Sequence, residues 1–128
     1  MTRKIINSNF APEPIGPYSQ AIQFDKLVFT SGQIAMDPNT GELVIGDVAA
    51  QTKLVLDNLK AVLEEAGASL ETVVKTTIFL KDMDTFAQVN EIYDSYFHRS
   101  LPARSTVEVA RLPKDVLVEI DCIAISIK

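Results

Sequence analysis

The spacing of apolar and polar positions changes period along the chain, and each change predicts a change of element. Residues 20–24 and 27–31 are short runs, the second with β-branched and aromatic Val28, Phe29 and Thr30; joined by Asp25-Lys26, they predict a hairpin. Asp37-Pro38-Asn39-Thr40-Gly41 reads as a turn, since Pro fixes φ and Asn and Gly tolerate a positive one. From Asp47 the period becomes helical. Val48, Val55, Leu59, Val62, Leu63 and Ala66 share one stripe, while Lys53, Asp57, Lys60 and Glu64 lie largely off it. Asp47 suits the N-cap of this helix and Gly67 its stop. Residues 73–81 then read as a strand, and Phe86, Val89, Tyr93, Tyr96 and Phe97 mark a second amphipathic helix capped by Asp82 or Asp84. Residues 103–110 and 116–127 complete the pattern as two strands parted by Leu112-Pro113-Lys114-Asp115. The order β-β-α-β-α-β-β predicts an α/β (α+β) fold, with a mixed sheet of five to six strands, one parallel βαβ pair, and two helices on one face.

Both alternating sets of the last strand are apolar-rich: Val116, Val118, Ile120, Cys122 and Ala124 on one side, Leu117, Ile123, Ile125 and Ile127 on the other. Two helices can cover only one face of such a sheet. The simplest cover for the second face is another subunit.

Composition narrows the class without changing this picture. The 128 residues, 47% hydrophobic and 23% charged, show no linker, repeat or low-complexity tract, so residues 1–128 are expected to form one domain with one core. No run of membrane-spanning length occurs, and the opening residues carry charge without a signal-type apolar stretch; the expected location is cytoplasmic. Net charge is −5, which disfavours long contacts with nucleic acid or anionic lipid. Any anionic ligand should be small and held by one or two local cations.

Cys122 is the single cysteine and His98 the single histidine. No disulfide, Cys/His zinc set or Ser/His/acid triad that spares His98 can be assembled, and no phosphate-cradling Gly-rich motif occurs. No cofactor and no metal are expected. The residues left with chemical potential are few. Glu119 and Asp121 share a face with Leu117, Ile123 and Ile125, where apolar surroundings raise a carboxyl pKa and suit it to proton transfer; edge carboxylates satisfied by neighbouring donors are the alternative. Arg104 opens a strand with Thr106 on its own face, either as a solvated or salt-bridged side chain or as a bidentate clamp for a carboxylate. Tyr18, after Ile15-Gly16-Pro17, and Ser31-Gly32-Gln33 at a strand end could meet a ligand or serve as turn chemistry. Asn90 borders the apolar stripe of the second helix, with a local hydrogen bond as the alternative to ligand contact.

Ile15-Gly16-Pro17-Tyr18-Ser19-Gln20, Thr30-Ser31-Gly32-Gln33, Pro102-Ala103-Arg104-Ser105 and Val109-Ala110-Arg111-Leu112-Pro113 followed by Val118-Glu119-Ile120 together resemble the Rid (YjgF) family of reactive intermediate deaminases, and within it the RidA subfamily. Asn58-Leu59 and Val74-Lys75-Thr76-Thr77 extend the match nearly end to end. The resemblance implies a chorismate-mutase-like subunit in a homotrimeric barrel with active sites between subunits. It implies hydrolysis of 2-imino or 2-amino-2-enoic acids, such as 2-iminobutanoate and 2-iminopropanoate, to keto acids and ammonia without a cofactor. Carried over by motif, Arg104 would clamp the substrate carboxylate and Glu119 would position or activate water. Tyr18, Ser31, Gly32, Asn90 and Thr106 would line the cleft. Thr106 stands where many family members carry Cys, so a mechanism needing a thiol there is impossible in this chain. Two other readings compete: an RNA-directed endoribonuclease or translation inhibitor, and a non-catalytic module binding small carboxylates.

Overall fold

The computed structural model describes residues 2–128. Its strands are β1 (Arg3–Ile6), β2 (Ala21–Phe24), β3 (Leu27–Thr30), β4 (Val73–Leu80), β5 (Ala103–Glu108) and β6 (Val118–Ile125); its helices are α1 (Val48–Glu65) and α2 (Phe86–Phe97). The strands form one six-stranded sheet in the order β1-β2-β3-β6-β4-β5. Only β4 and β5, bridged by α2, run parallel; the other pairs are antiparallel.

The sequence signals act where expected. Asp47 accepts from the Ala49 and Ala50 N–H groups at the start of α1, satisfying donors that a helix N-terminus leaves free. Gly67, at φ +74, ends it, and Asp25, at φ 56, turns the β2–β3 hairpin with Phe24 opposite Leu27. One expectation needs correction, and one strand lies outside the elements that the pattern predicts. Asp82 caps not α2 but the short turn Met83–Thr85 that leads into it, and α2 starts from Thr85 without a side-chain cap, so neither Asp82 nor Asp84 caps that helix. The strand β1 was not foreseen, because Arg3-Lys4-Ile5-Ile6 has too little alternation to stand out; it is defined by pairing with β2.

Both helices lie on one face of the sheet. Val55, Leu56, Leu59 and Leu63 of α1 and Val89, Tyr93 and Phe97 of α2 bury against Val28, Ile78, Leu80, Val118, Ile120, Cys122 and Ala124. On the opposite face Ile5, Phe24, Leu27, Phe29, Val107 and Ile125 are all at least 39% exposed, although every one belongs to a strand. This sheet face, apolar around Leu27, Phe29 and Ile125, is therefore uncovered in the single chain, as the doubly apolar last strand predicts.

Buried side-chain amides fix the loops around the candidate site. The Gln20 side chain receives the Ser8 N–H and donates to the Ser8, Ala11 and Pro12 carbonyls, tying residues 8–12 to the start of β2. Asn58, on α1, donates to the Ile34 and Met36 carbonyls just beyond β3. Gln51 bridges Val44 O and Leu117 N, the segment entering β6. Each satisfies backbone groups that a loop would otherwise bury unpaired.

Candidate functional site

The predicted site residues fall into two groups on opposite faces of the sheet. Register decides this. Thr76 lies opposite both Cys122 and Arg104, so Arg104 points to the helix side; Phe79 lies opposite both Val107 and Glu119, so Glu119 points to the uncovered side.

The first group centres on Arg104. Its Nη1 donates to Asn90 Oδ1 at 2.7 Å, and its guanidinium carbon lies 4.9 Å from the Tyr93 ring centroid and 5.4 Å from that of Phe86. Phe86, Asn90 and Tyr93 follow at i, i+4 and i+7 on α2, so a single helix face supplies all three contacts. The aromatic faces favour the cation and fix its plane, while the amide oxygen takes one N–H without neutralising the charge. Among the described residues Arg104 has no carboxylate within salt-bridge distance. The rest of its planar fork is free to meet an anion at a cavity lined by Asn90, Asp94, Leu101 and Pro102. Beneath it, burial raises the Tyr93 pKa, partly offset by the Thr76 hydroxyl at 2.7 Å and by the Arg104 charge. Thr106 shares this face, two residues along β5, and its Oγ1 is a buried side-chain oxygen with no hydrogen-bond partner among the described residues.

The second group gathers where β3 ends. A Cβ on Gly32 would come within 2.7 Å of Glu119 Cδ and closer still to Oε2, so only glycine leaves room for the carboxylate there. Burial, followed by the Asp121 charge, pushes the Glu119 carboxyl above its ordinary range; Asp121 is raised by burial too, with Thr77 and Lys75 opposing. Tyr18 lies beside Gly32 along one small cavity. Its hydroxyl accepts the Ile15 N–H at 3.2 Å, which leaves the phenolic hydrogen free to donate. Ser31 Oγ donates to Ser19 O at 2.6 Å, so this hydroxyl locks the Tyr18 loop onto β3 and keeps only acceptor capacity for a ligand.

Residue by residue, then, Tyr18, Ser31, Gly32 and Glu119 come together, and so do Asn90, Arg104 and Thr106. One chain does not join the two sets. The sequence reading missed the roles of Phe86 and Tyr93, whose only signal was their spacing from Asn90, and of Gln20, whose terminal amide could not be paired in advance with carbonyls 8 to 12 residues away. Cys122, buried and pushed up to about 12, is no nucleophile.

A small α/β subunit with both helices on one sheet face, a ring-cradled arginine on that side and a half-buried carboxylate on the other is a recognisable class, and comparisons with known proteins place it. The family model described as "Endoribonuclease L-PSP" matches residues 8–126. A RutC family protein of Pyrococcus abyssi is 57% identical over 97% of this chain and 98% of its own length. The mouse 2-iminobutanoate/2-iminopropanoate deaminase is 50% identical over 96% of this chain and 91% of its own. Among solved structures, a Rid family protein of Yersinia pestis, YyfA, superposes with a TM-score of 0.94 at 50% identity, covering 97% of this chain and 99% of that one. TdcF of E. coli, solved with bound serine, superposes with a TM-score of 0.91 at 46% identity, covering 95% and 98%. The chain belongs to the YjgF/Rid family.

Proposed function

We propose that this chain hydrolyses 2-imino acids, and the enamines that tautomerise to them, to 2-keto acids and ammonia, in clefts between the copies of a homotrimer. The observation that carries the reading is Arg104, a partly buried cation steadied by two rings and a neutral amide, with no carboxylate among the described residues within salt-bridge distance. Such a fork calls for an anion, and a small carboxylate fits it bidentately. The mouse relative named for this activity and the relative solved with serine, itself a small 2-amino carboxylate, support the same substrate class.

In the proposed reaction Arg104 of one copy holds the carboxylate and so orients C2 of the iminium. Glu119 of the adjoining copy takes a proton from water as its oxygen bonds to C2. The carbinolamine nitrogen then receives that proton, the C–N bond breaks with its electron pair leaving on ammonia, and the C2 oxygen becomes the keto group after losing its hydrogen. A carboxyl raised toward neutrality can both take and return the proton. Tyr18 O–H is a donor within reach of the same space. Because the two groups occupy opposite sheet faces, the cleft is completed only when the Glu119 face of one copy meets the Arg104 edge of another.

A coupled assay tests this. A threonine dehydratase supplies the imine, and keto-acid appearance should be faster with the protein than without it; equal rates would refute the proposal. The family description also names an endoribonuclease, but a chain of net charge −5 offers little for phosphate backbone.

A further inference from the structure

We infer that the buried hydroxyl pair of Thr76 and Tyr93 is a positioning device for Arg104: it holds the Tyr93 ring against the guanidinium and so keeps the free edge of the fork aimed at an anion. The inference rests on the proposed role of Arg104 as the holder of the substrate carboxylate.

Stability alone gives no reason for the pair. Thr76 is 0% and Tyr93 7% exposed, and their hydroxyls meet at 2.7 Å. The buried Gln20, Gln51 and Asn58 each bond backbone carbonyls, groups that the chain must pair in any case. The Thr76–Tyr93 bond satisfies only the two hydroxyls that make it. Valine and phenylalanine, of nearly the same shapes, would fill this core without either hydroxyl, and such a double replacement is close to neutral or favourable for stability.

What the bond adds is direction. Thr76 stands opposite Arg104 in the β4–β5 register, so the Tyr93 hydroxyl is tied to the strand beside the one that carries the guanidinium. With that end fixed and the Phe97 ring centroid 4.6 Å away, the Tyr93 ring cannot leave its place 4.9 Å from the guanidinium carbon without breaking a buried hydrogen bond. The tie reaches further along the helix. Phe86 and Asn90 lie on the same face of α2, so fixing that face against β4 also fixes the second ring and the amide that touch Arg104. Because burial raises its pKa, the Tyr93 hydroxyl stays neutral at physiological pH and orients Arg104 without competing with an anion for its charge.

Thermal melts and dehydratase-coupled kinetics test this by comparing the wild type with Thr76→Val, Thr76→Ser and the double variant Thr76→Val/Tyr93→Phe. The double variant should melt at or above the wild-type temperature, since both hydroxyls leave together. Its KM for the imine, and that of Thr76→Val, should rise about 3- to 30-fold, the range spanned by loss of an aligned cation–ring contact, with kcat little changed. Thr76→Ser keeps the hydroxyl and should keep KM. Tyr96→Phe, on the same helix but with a hydroxyl bonded to Asp57 instead, is the control and should keep it too. Nitrogen NMR reads the orientation without turnover: the Arg104 Nη resonances, assigned by their loss in Arg104→Lys, should be resolved in the wild type and merge through faster rotation in the double variant. Arg104 resonances that are the same in both proteins overturn the inference. So does a KM for Thr76→Ser raised as far as that for Thr76→Val, which would make Thr76 a packing residue. If the wild type speeds no imine hydrolysis, the deaminase reading fails, and the NMR comparison still decides whether the pair positions Arg104.

Discussion

At the scale of single residues, two side chains carry opposite halves of the proposed chemistry, and their substitutions should fail differently. Arg104→Lys keeps the charge but loses the planar fork. It also loses the geometry that lets one Nη serve Asn90 while the remainder faces the cleft. Turnover should fall by roughly 30- to several-thousand-fold, the usual cost of about 2–5 kcal/mol for spoiling a desolvated charge pair, and steady-state kinetics on the dehydratase-coupled imine reads it directly. Glu119→Gln should instead lower kcat by about 10²–10⁴-fold with little change in binding, since the shape survives and the proton acceptor does not. It also has a signature in stability. The folded carboxyl is raised by burial and by Asp121, so its contribution favours folding fully below the ordinary carboxyl range and is lost as pH rises through the raised value. Thermal melts should show Glu119→Gln more stable than the wild type at neutral pH, with the difference vanishing in acid. A difference independent of pH would contradict the burial argument.

Elements explain why these residues are where they are, and also how far the sequence could be read. The stripe in residues 48–66 and the cap and stop at Asp47 and Gly67 made α1 legible, because a helix is local and its period records its own burial. The two faces of β6 were legible for the same reason. The pairing of β1 with β2, and the side of the sheet on which Arg104 and Glu119 stand, depend on strand order and register, which local pattern does not encode. Arg104, Glu119 and Gly32 could be picked out by residue type, whereas the Glu119 carboxylate over Gly32 and the α2 cradle of Arg104 required the tertiary fold. That cradle gives its own prediction. Asn90 meets Arg104 as a neutral acceptor, so Asn90→Asp would place a carboxylate on Nη1 and compensate the charge that the proposed reaction assigns to the substrate carboxylate. KM for the imine should rise far more than kcat falls, while Asn90→Gln, still neutral, should be milder. Equal effects of the two would assign Asn90 to packing alone.

On the scale of the whole molecule, the uncovered sheet face and the divided site make one argument. Ile5, Leu27, Phe29, Val107 and Ile125 expose apolar area on the face that carries Glu119, and water is a poor cover for that much apolar surface. In the proposed trimer a second copy would bury that patch and bring a foreign Arg104 edge toward Glu119, so assembly and catalysis should be lost together. Closed symmetric rings let every copy use both its face and its edge, which is how three copies would make three equivalent clefts. Static light scattering should therefore give about three times the 14.1 kDa chain mass. Phe29→Glu, which sets a charge in the middle of the face without touching Arg104, Asn90 or Tyr18, should shift the mass toward one chain and remove turnover, although each half of the site remains intact within its own chain. Mixing inactive Arg104→Lys with inactive Glu119→Gln and allowing subunits to exchange should restore part of the activity, because some clefts then receive a wild-type Arg104 from one chain and a wild-type Glu119 from its neighbour. Complete failure of that mixture to recover activity, with exchange verified by mass, would place both residues in a cleft served by a single chain and overturn the shared-site arrangement.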